Sequence, residues 1–239
     1  GVSRSVVMES FGGPEVLDVR DVPEPHAGPG QVRVRVTAAS LNPIDWGLSS
    51  HEHVASAFGI CVPCGFGSDF AGRVDEVGDG ATGFAVGDRV CGGTRAAACA
   101  EYVVVDPSRT PLHHTPDGLD DVTASTLESA GKAAYVAVDA LGLQPGETVL
   151  IGGAAGGVGV FAVQLARLAG ARVIGTCSPG TFDFLQGLGA EPVTYGEGLV
   201  DRVRALAPEG IDAATDLFGS EAVHAALALG VPGERISTI

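Results

Sequence analysis

Between Val149 and Val160 the chain reads Val-Leu-Ile-Gly-Gly-Ala-Ala-Gly-Gly-Val-Gly-Val. Taken as a variant of G-x-G-x-x-G, this is Ala154-x-Gly156-x-x-Gly159, set between an apolar run that predicts a strand and one that predicts a helix. Small residues at Ala155, Gly156, Gly157 and Val158 let the backbone turn tightly and approach a pyrophosphate, and Gly159 lets helix and sheet come close. The start of the helix then offers unpaired N–H groups to negative charge. An ordinary tight turn in an α/β domain is the competing reading. Sites that prefer NAD place an acid about 20 residues further on, where it accepts from the ribose 2′-hydroxyl. Here that region is Ile174-Gly175-Thr176-Cys177-Ser178-Pro179, without an acid. A carboxylate there would repel a 2′-phosphate, so its absence points to NADPH, with Ser178 as a donor to the phosphate. No basic residue follows at once, since Gly180, Thr181 and Phe182 come next.

Other residues could carry chemistry. His51-x-His53 and Cys61-x-x-Cys64 together offer four zinc ligands, but the spacing is not that of a known zinc module, and substrate contact or plain loop residues fit better. His113 and His114 read as solvated. Lys132 is the only lysine in the chain and stands at i+4 from Glu128. An ion pair on a helix surface and a role in the reaction both fit that spacing.

The elements that must position these residues fall into two grammars. The first half alternates apolar and polar residues at Gln31–Val36 and gives short strands at Phe70–Val77, Arg89–Cys91 and Ala100–Val105, separated by Gly- and Pro-rich turns. That pattern predicts a small barrel-like domain. Asp120–Leu143 has few breakers and predicts a long helix or a pair of helices. From Thr148 onward strands alternate with helices, ending in a strand at Arg235–Ile239, which predicts a parallel sheet covered on both faces. The expected division is 1–120 and 121–239.

Composition narrows the partners. The chain has 29 acids against 14 bases, a formal net charge of −15. Such a surface repels phosphate backbones and anionic headgroups, so neither a nucleic acid nor a membrane is the expected partner. A small-molecule substrate is. Five cysteines without a secretion signal predict reduced thiols and a cytoplasmic location.

Several further runs resemble the zinc-independent branch of the medium-chain dehydrogenase/reductase superfamily, the quinone oxidoreductase-like enzymes. They are Phe11-Gly12-Gly13-Pro14-Glu15-Val16-Leu17, Leu41-Asn42-Pro43-Ile44-Asp45-Trp46, Gly67-Ser68-Asp69-Phe70-Ala71-Gly72, Gly83-Phe84-Ala85-Val86-Gly87-Asp88-Arg89-Val90 and Ala100-Glu101-Tyr102-Val103, with the run from Ala154 to Gly170. The resemblance spans nearly the whole chain. It implies a GroES-like β-barrel domain followed by a doubly wound Rossmann domain. It places Asn42 and Asp45 at the nicotinamide end of a cleft, and Gly156, Gly157 and Val158 at the pyrophosphate. Ser178 and Tyr195 match positions facing the adenosine 2′-phosphate, with Phe218 and Ile239 on loops near which the cofactor passes. Zinc-dependent relatives offer Cys and a His-Glu pair to a metal. The matching places here are Asn42-Pro43-Ile44-Asp45 and Gly67-Ser68-Asp69, so the expected site holds no metal.

The resemblance implies NADPH-dependent hydride transfer to a quinone, an enone or an enoyl compound, with Asn42, Asp45 and Lys132 as candidate catalytic residues. Departures at Glu128, Lys132 and Ala133, where relatives usually carry Pro, Leu and Thr, motivate an alternative: a non-redox cyclase or isomerase on the same fold. The family continues past the fifth Rossmann strand into one that joins subunits. A truncated chain is therefore expected, with a homodimer for the full-length form.

Overall fold

A computed structural model describes residues 1–239. They form two compact units, Gly1–Ser129 and Ala130–Ile239.

In the first unit β1 (Val2–Val7) and β2 (Asp18–Pro23) form an antiparallel hairpin. β3 (Val32–Ser40) leads into helices α1 (Pro43–Ser50) and α2 (Glu52–Ala57). Then come β4 (Asp69–Val77), β5 (Arg89–Gly93), β6 (Tyr102–Val105) and β7 (Leu112–His114). The larger sheet runs β6-β3-β4-β5-β7, antiparallel throughout. Single bridges, Ser5 to Ala100 and Met8 to Cys64, tie the hairpin to the rest. Val32, Val34, Phe70, Val74, Val90 and Val103 fill the core, as the alternation of β3 requires. Arg33 breaks that alternation, because it is buried. Its guanidinium forks onto Asp75 at 2.9 and 3.0 Å and reaches Glu24 at 2.8 Å, with the Tyr102 ring beneath it.

The segment expected as one long helix or two is divided in three. α3 (Asp121–Ala124) is followed by a π-helical turn, Leu127–Gly131, and then by α4 (Lys132–Asp139). The cause is competition for backbone groups. The Ser125 and Thr126 hydroxyls donate to the carbonyls of Val122 and Thr123, and the N–H of Ser129 goes to Asp69. α3 packs on β3 and β4, with Asp121 accepting from Thr37 and Arg89, so it belongs to the first unit. For that reason the units divide at 129/130 rather than at 120/121.

The second unit adds β8 (Thr148–Gly152), α5 (Gly157–Leu168), β9 (Arg172–Cys177), α6 (Phe182–Gly187) and β10 (Ala190–Thr194). α7 (Leu199–Leu206), β11 (Ala213–Asp216), α8 (Glu221–Ala228) and β12 (Ile236–Thr238) complete it. The sheet is parallel in the order β10-β9-β8-β11-β12. Side chains of β8 alternate between two cores. Val149 and Ile151 face one with α5 and α6, while Leu150 faces the other with α7 and α8. No helix is long and apolar enough to cross a membrane.

Candidate active site

Each unit presents one cluster of interest. In the first, Pro43 opens α1 with a pre-set φ, and the Asp45 carboxylate secures the helix start. Its Oδ2 accepts from the Asn42 N–H at 2.8 Å and its Oδ1 from the Ser68 hydroxyl at 2.7 Å. Asp45 is only 1% exposed, and both of its oxygens are engaged. Asn42 in turn donates through Nδ2 to Asp69 Oδ2 at 3.1 Å. That bond turns the Asn42 amide so that its oxygen faces away from Asp69.

Asp69 is the hub of this cluster. Besides Asn42 it accepts from the Ser129 N–H at 3.1 Å and the Ser129 hydroxyl at 2.7 Å. It therefore ties the end of β3, the start of β4 and the π-helical turn together. Burial pushes its carboxyl above the usual carboxylate range, and the bonds from Ser129 and Asn42 work against that shift. Nothing in the sequence reading singled out Asp69 or Ser129 as partners. The available signal was an acid beside Phe70-Ala71 in an apolar strand, which must find donors once buried.

This hub has an amide, hydroxyls and carboxylates but neither thiolate nor imidazole, a donor set unsuited to catalytic zinc. His51, His53, Cys61 and Cys64 are not drawn together into a ligand group either. The one three-residue gathering of metal-ligand types is Glu24, His26 and Glu76. There Arg33 already reaches Glu24 at 2.8 Å and Glu76 at 3.0 Å, so a guanidinium holds the place a cation would take. All five cysteines are unpaired, and burial pushes the Cys64, Cys91 and Cys99 thiols up, away from nucleophilic duty. His114 contacts Asp88 at 3.2 Å, and His113 contacts Glu128 at 3.4 Å, both with exposed rings. Lys132 lies exposed at the first position of α4.

In the second unit the glycine-rich turn joins β8 to α5, beside the place where the strand order reverses. Gly153 has φ +68°, and a Cβ there would lie 2.9 Å from the Phe218 Cβ. A Cβ on Gly159 would lie 2.2 Å from the Gly153 carbonyl oxygen and 2.5 Å from that of Ala154. The close approach expected at Gly159 is thus to the turn's own backbone. Gly156 caps α5, so the N–H groups of its first turn have no intrahelical partners. Thr176 is buried, and its hydroxyl accepts from the Gly153 N–H at 3.0 Å while its carbonyl accepts from Ala154 at 3.1 Å. The end of β9 therefore holds the turn in place.

Ser178 and Tyr195 follow the paired residues Cys177 and Thr194, so they leave adjacent strands at the same end, both exposed. The Arg202 guanidinium, on α7, donates to the carbonyls of Thr194, Tyr195, Gly196 and Glu197. Phe218, 93% exposed, stands on the loop after β11. That loop is organised by buried Asp216, which accepts from the N–H groups of Phe218, Gly219 and Ala222 at 2.8–3.0 Å. Ile239, exposed, follows β12.

Comparison with known proteins covers both units. Residues 28–143 match the alcohol dehydrogenase GroES-like domain family, and residues 157–239 match the zinc-binding dehydrogenase family. A quinone oxidoreductase of Homo sapiens is 31% identical over 243 residues, covering 99% of this chain and 72% of that protein. A quinone oxidoreductase of Pseudomonas aeruginosa is 39% identical over 179 residues, 74% of this chain and 53% of that protein. The match thus spans about half of the Pseudomonas protein's length. Among solved structures, the CurK enoyl reductase superposes with a TM-score of 0.86 at 26% identity, covering 99% of this chain and 73% of that one. The β-rich first unit is accordingly GroES-like and the second is a dinucleotide-binding Rossmann unit. The chain belongs to the zinc-independent, quinone oxidoreductase-like branch of the medium-chain dehydrogenase/reductase superfamily.

Proposed function

We propose that the chain is an NADPH-dependent reductase delivering hydride to a quinone, an enone or an enoyl compound without a metal. The observation that carries this reading is the glycine-lined turn into α5, whose close approaches leave no room for a Cβ at Gly159 and whose helix start offers unpaired donors. Pyrophosphate fits that cradle by charge and by shape. When bound, the cofactor supplies hydride from its nicotinamide, and the protein's task is orientation and exclusion of water.

Within that reading each residue has a task. Ala155, Gly156, Gly157 and Val158 bind pyrophosphate, while Thr176 and Asp216 position the backbone that does so. Ser178 and Tyr195 receive the 2′-phosphate, and the positive charge of Arg202 near the Tyr195 backbone favours NADPH over NADH. Phe218 and Ile239 flank the cofactor. Asn42, its amide held by Asp69, presents its oxygen to the nicotinamide carboxamide, and Asp45 positions Asn42 rather than reacting. Lys132 is kept as a candidate for the acceptor's carbonyl. A cytoplasmic homodimer completes the proposal, tested by cell fractionation and by light scattering. The quinone and enoyl classes rest on what the similar proteins are named for.

The test is oxidation of NADPH, followed by its absorbance, with a panel of quinones, enones and enoyl thioesters. Failure with every acceptor counts against the reading. One observation favours a non-redox alternative: the contact of Glu128 with His113, an acid–base pair that a cyclase or isomerase could use. Turnover of a substrate without NADPH consumption would select it.

A further inference from the structure

We propose that Cys61 and Cys64 are a reversible dithiol–disulfide pair, a modification site that small-molecule disulfides oxidise. The proposal is independent of the reductase reading. The two cysteines stand in a C-x-x-C arrangement, the spacing of pairs that undergo thiol exchange. The chain bends at both residues between them, Val62 and Pro63. Each end of the bend is fixed. Before it, Ile60 is buried and its N–H donates to the Ala55 carbonyl at 2.9 Å. At its far end Cys64 exchanges two backbone bonds with Met8, at 2.9 and 3.1 Å. The thiols are therefore kept as neighbours, close enough that Cys61 adds to the upward push that burial gives the Cys64 thiol.

Their surroundings divide the work between them. Cys61 is exposed and open to a reagent in solution. Cys64 is half-buried, packs against Leu48, Ala55 and Ile60, and lines a small cavity with Met8 and Phe66. The other cysteines are placed differently. Cys91 and Cys177 are buried, and the Cys99 thiol packs on Gly67, where a Cβ would lie 2.6 Å from its sulfur. In the first step the Cys61 thiolate attacks one sulfur of the small disulfide. A new S–S bond forms on Cys61, the old one breaks, and one small thiolate leaves and takes up the proton that Cys61 released. The Cys64 thiolate then attacks the Cys61 sulfur, the Cys61–Cys64 bond forms, and the second small thiolate leaves and is protonated in turn. Two protein thiols are oxidised to one disulfide, one small disulfide is reduced to two thiols, and excess small thiol reverses both steps. Burial makes Cys64 slower to ionise, and its fixed nearness to Cys61 offsets this in the second step. Two thiols alone fall short of the four ligands that structural zinc takes, so exchange is the chemistry the pair supports.

Peptide mapping of the full chain tests this. Trypsin cuts after Arg35 and Arg73 and leaves Cys61 and Cys64 together on peptide 36–73, apart from the other cysteines. The folded, reduced protein is equilibrated with oxidised and reduced glutathione at several ratios, quenched by alkylation, digested and analysed by mass spectrometry. The expected product is peptide 36–73 short of two hydrogens and unalkylated, while Cys91, Cys99 and Cys177 are recovered alkylated. At a fixed level of oxidised glutathione, tenfold more reduced glutathione should lower the ratio of bridged to reduced peptide about 100-fold, since closing the bridge releases two thiols. Cys64→Ser should stop at glutathione bound to Cys61, a ratio that changes only about tenfold over the same range. Cys61→Ser should yield no bridge. If either variant fails to fold, as a thermal melt would show, the mapping of the unaltered chain decides alone. Peptide 36–73 recovered without a bridge at every ratio, whether alkylated or carrying glutathione, overturns the proposal. So does a bridge from either cysteine to Cys91, Cys99 or Cys177 in its place.

Discussion

Replacing Gly159 by Ala tests the geometry of the phosphate turn at its tightest point. The new Cβ would sit 2.2 Å from the Gly153 oxygen, 2.5 Å from the Ala154 oxygen and 2.6 Å from the Ala154 carbonyl carbon. All three are backbone atoms, so no side-chain rotation relieves the clash. Ordinary contact begins at 3.4 Å, so the turn must retreat by about 1.2 Å from its 2.2 Å contact. Overpacking of this kind costs about 1–3 kcal/mol, against which alanine's better helix propensity returns about 1 kcal/mol. The expected net loss of stability is therefore modest, about 0–2 kcal/mol. Binding should suffer more, because a shift of about 1 Å takes the donors of α5 out of hydrogen-bond range of the pyrophosphate. A loss of NADPH affinity of about tenfold or more corresponds to about 1.4 kcal/mol, one charge-assisted bond. Gly157→Ala is the control, since a Cβ there has nothing within 4 Å; it should leave the melting temperature unchanged or raise it. Thermal melts and NADPH fluorescence titrations read both effects. If Gly159→Ala binds NADPH as tightly as the parent, the turn does not carry the cofactor in the way described.

Other expectations follow from single residues. Because burial raises the Asp69 carboxyl, its stabilising contribution is complete below the unfolded value of about 3.9 and is lost as pH rises through the higher folded value. Asp69→Asn can keep bonds to Asn42 and Ser129 and should flatten that pH dependence in thermal melts. Asp69→Ala strands three donors and should cost about 2–4 kcal/mol. Ser178→Asp sets a carboxylate against the 2′-phosphate, and should weaken NADPH about tenfold or more while sparing NADH, measured by parallel titrations. Arg202→Met releases four carbonyls around Tyr195, and should lower stability by about 1–2 kcal/mol and reduce the preference for NADPH.

The Rossmann unit was legible because its signals are local. The strand–turn–helix grammar around Ala154–Gly159 and the alternation of β8 to β12 with helices lie within short windows. The break of the Asp120–Leu143 segment was not legible. It depends on Asp69 taking the Ser129 N–H across 60 positions of sequence, and on hydroxyls diverting carbonyls in α3. Arg202, seven positions beyond Tyr195 on the next helix, was hidden for a different reason: its guanidinium bonds backbone carbonyls at the strand end, which no side-chain pattern marks. Arg33 misled for another reason. Strict alternation sends it to solvent, while the acids of β4 and of the loop after β2 make its burial stable. Motif matching brought Asn42 and Asp45 to notice together, and only the hydrogen bonds separate them: the Asn42 amide donates to Asp69, while the Asp45 carboxylate is engaged by the Asn42 backbone N–H and the Ser68 hydroxyl.

The proposed reduction requires hydride to leave NADPH for a carbon or oxygen acceptor held by this chain. NADPH deuterated at the transferable position, incubated with the protein and a panel of quinones, enones and enoyl thioesters, reads this most directly. The account predicts NADP⁺ in step with product, with one deuterium on the β-carbon of each enone or enoyl acceptor that reacts. Recovery of unoxidised, fully labelled NADPH from every incubation would contradict it.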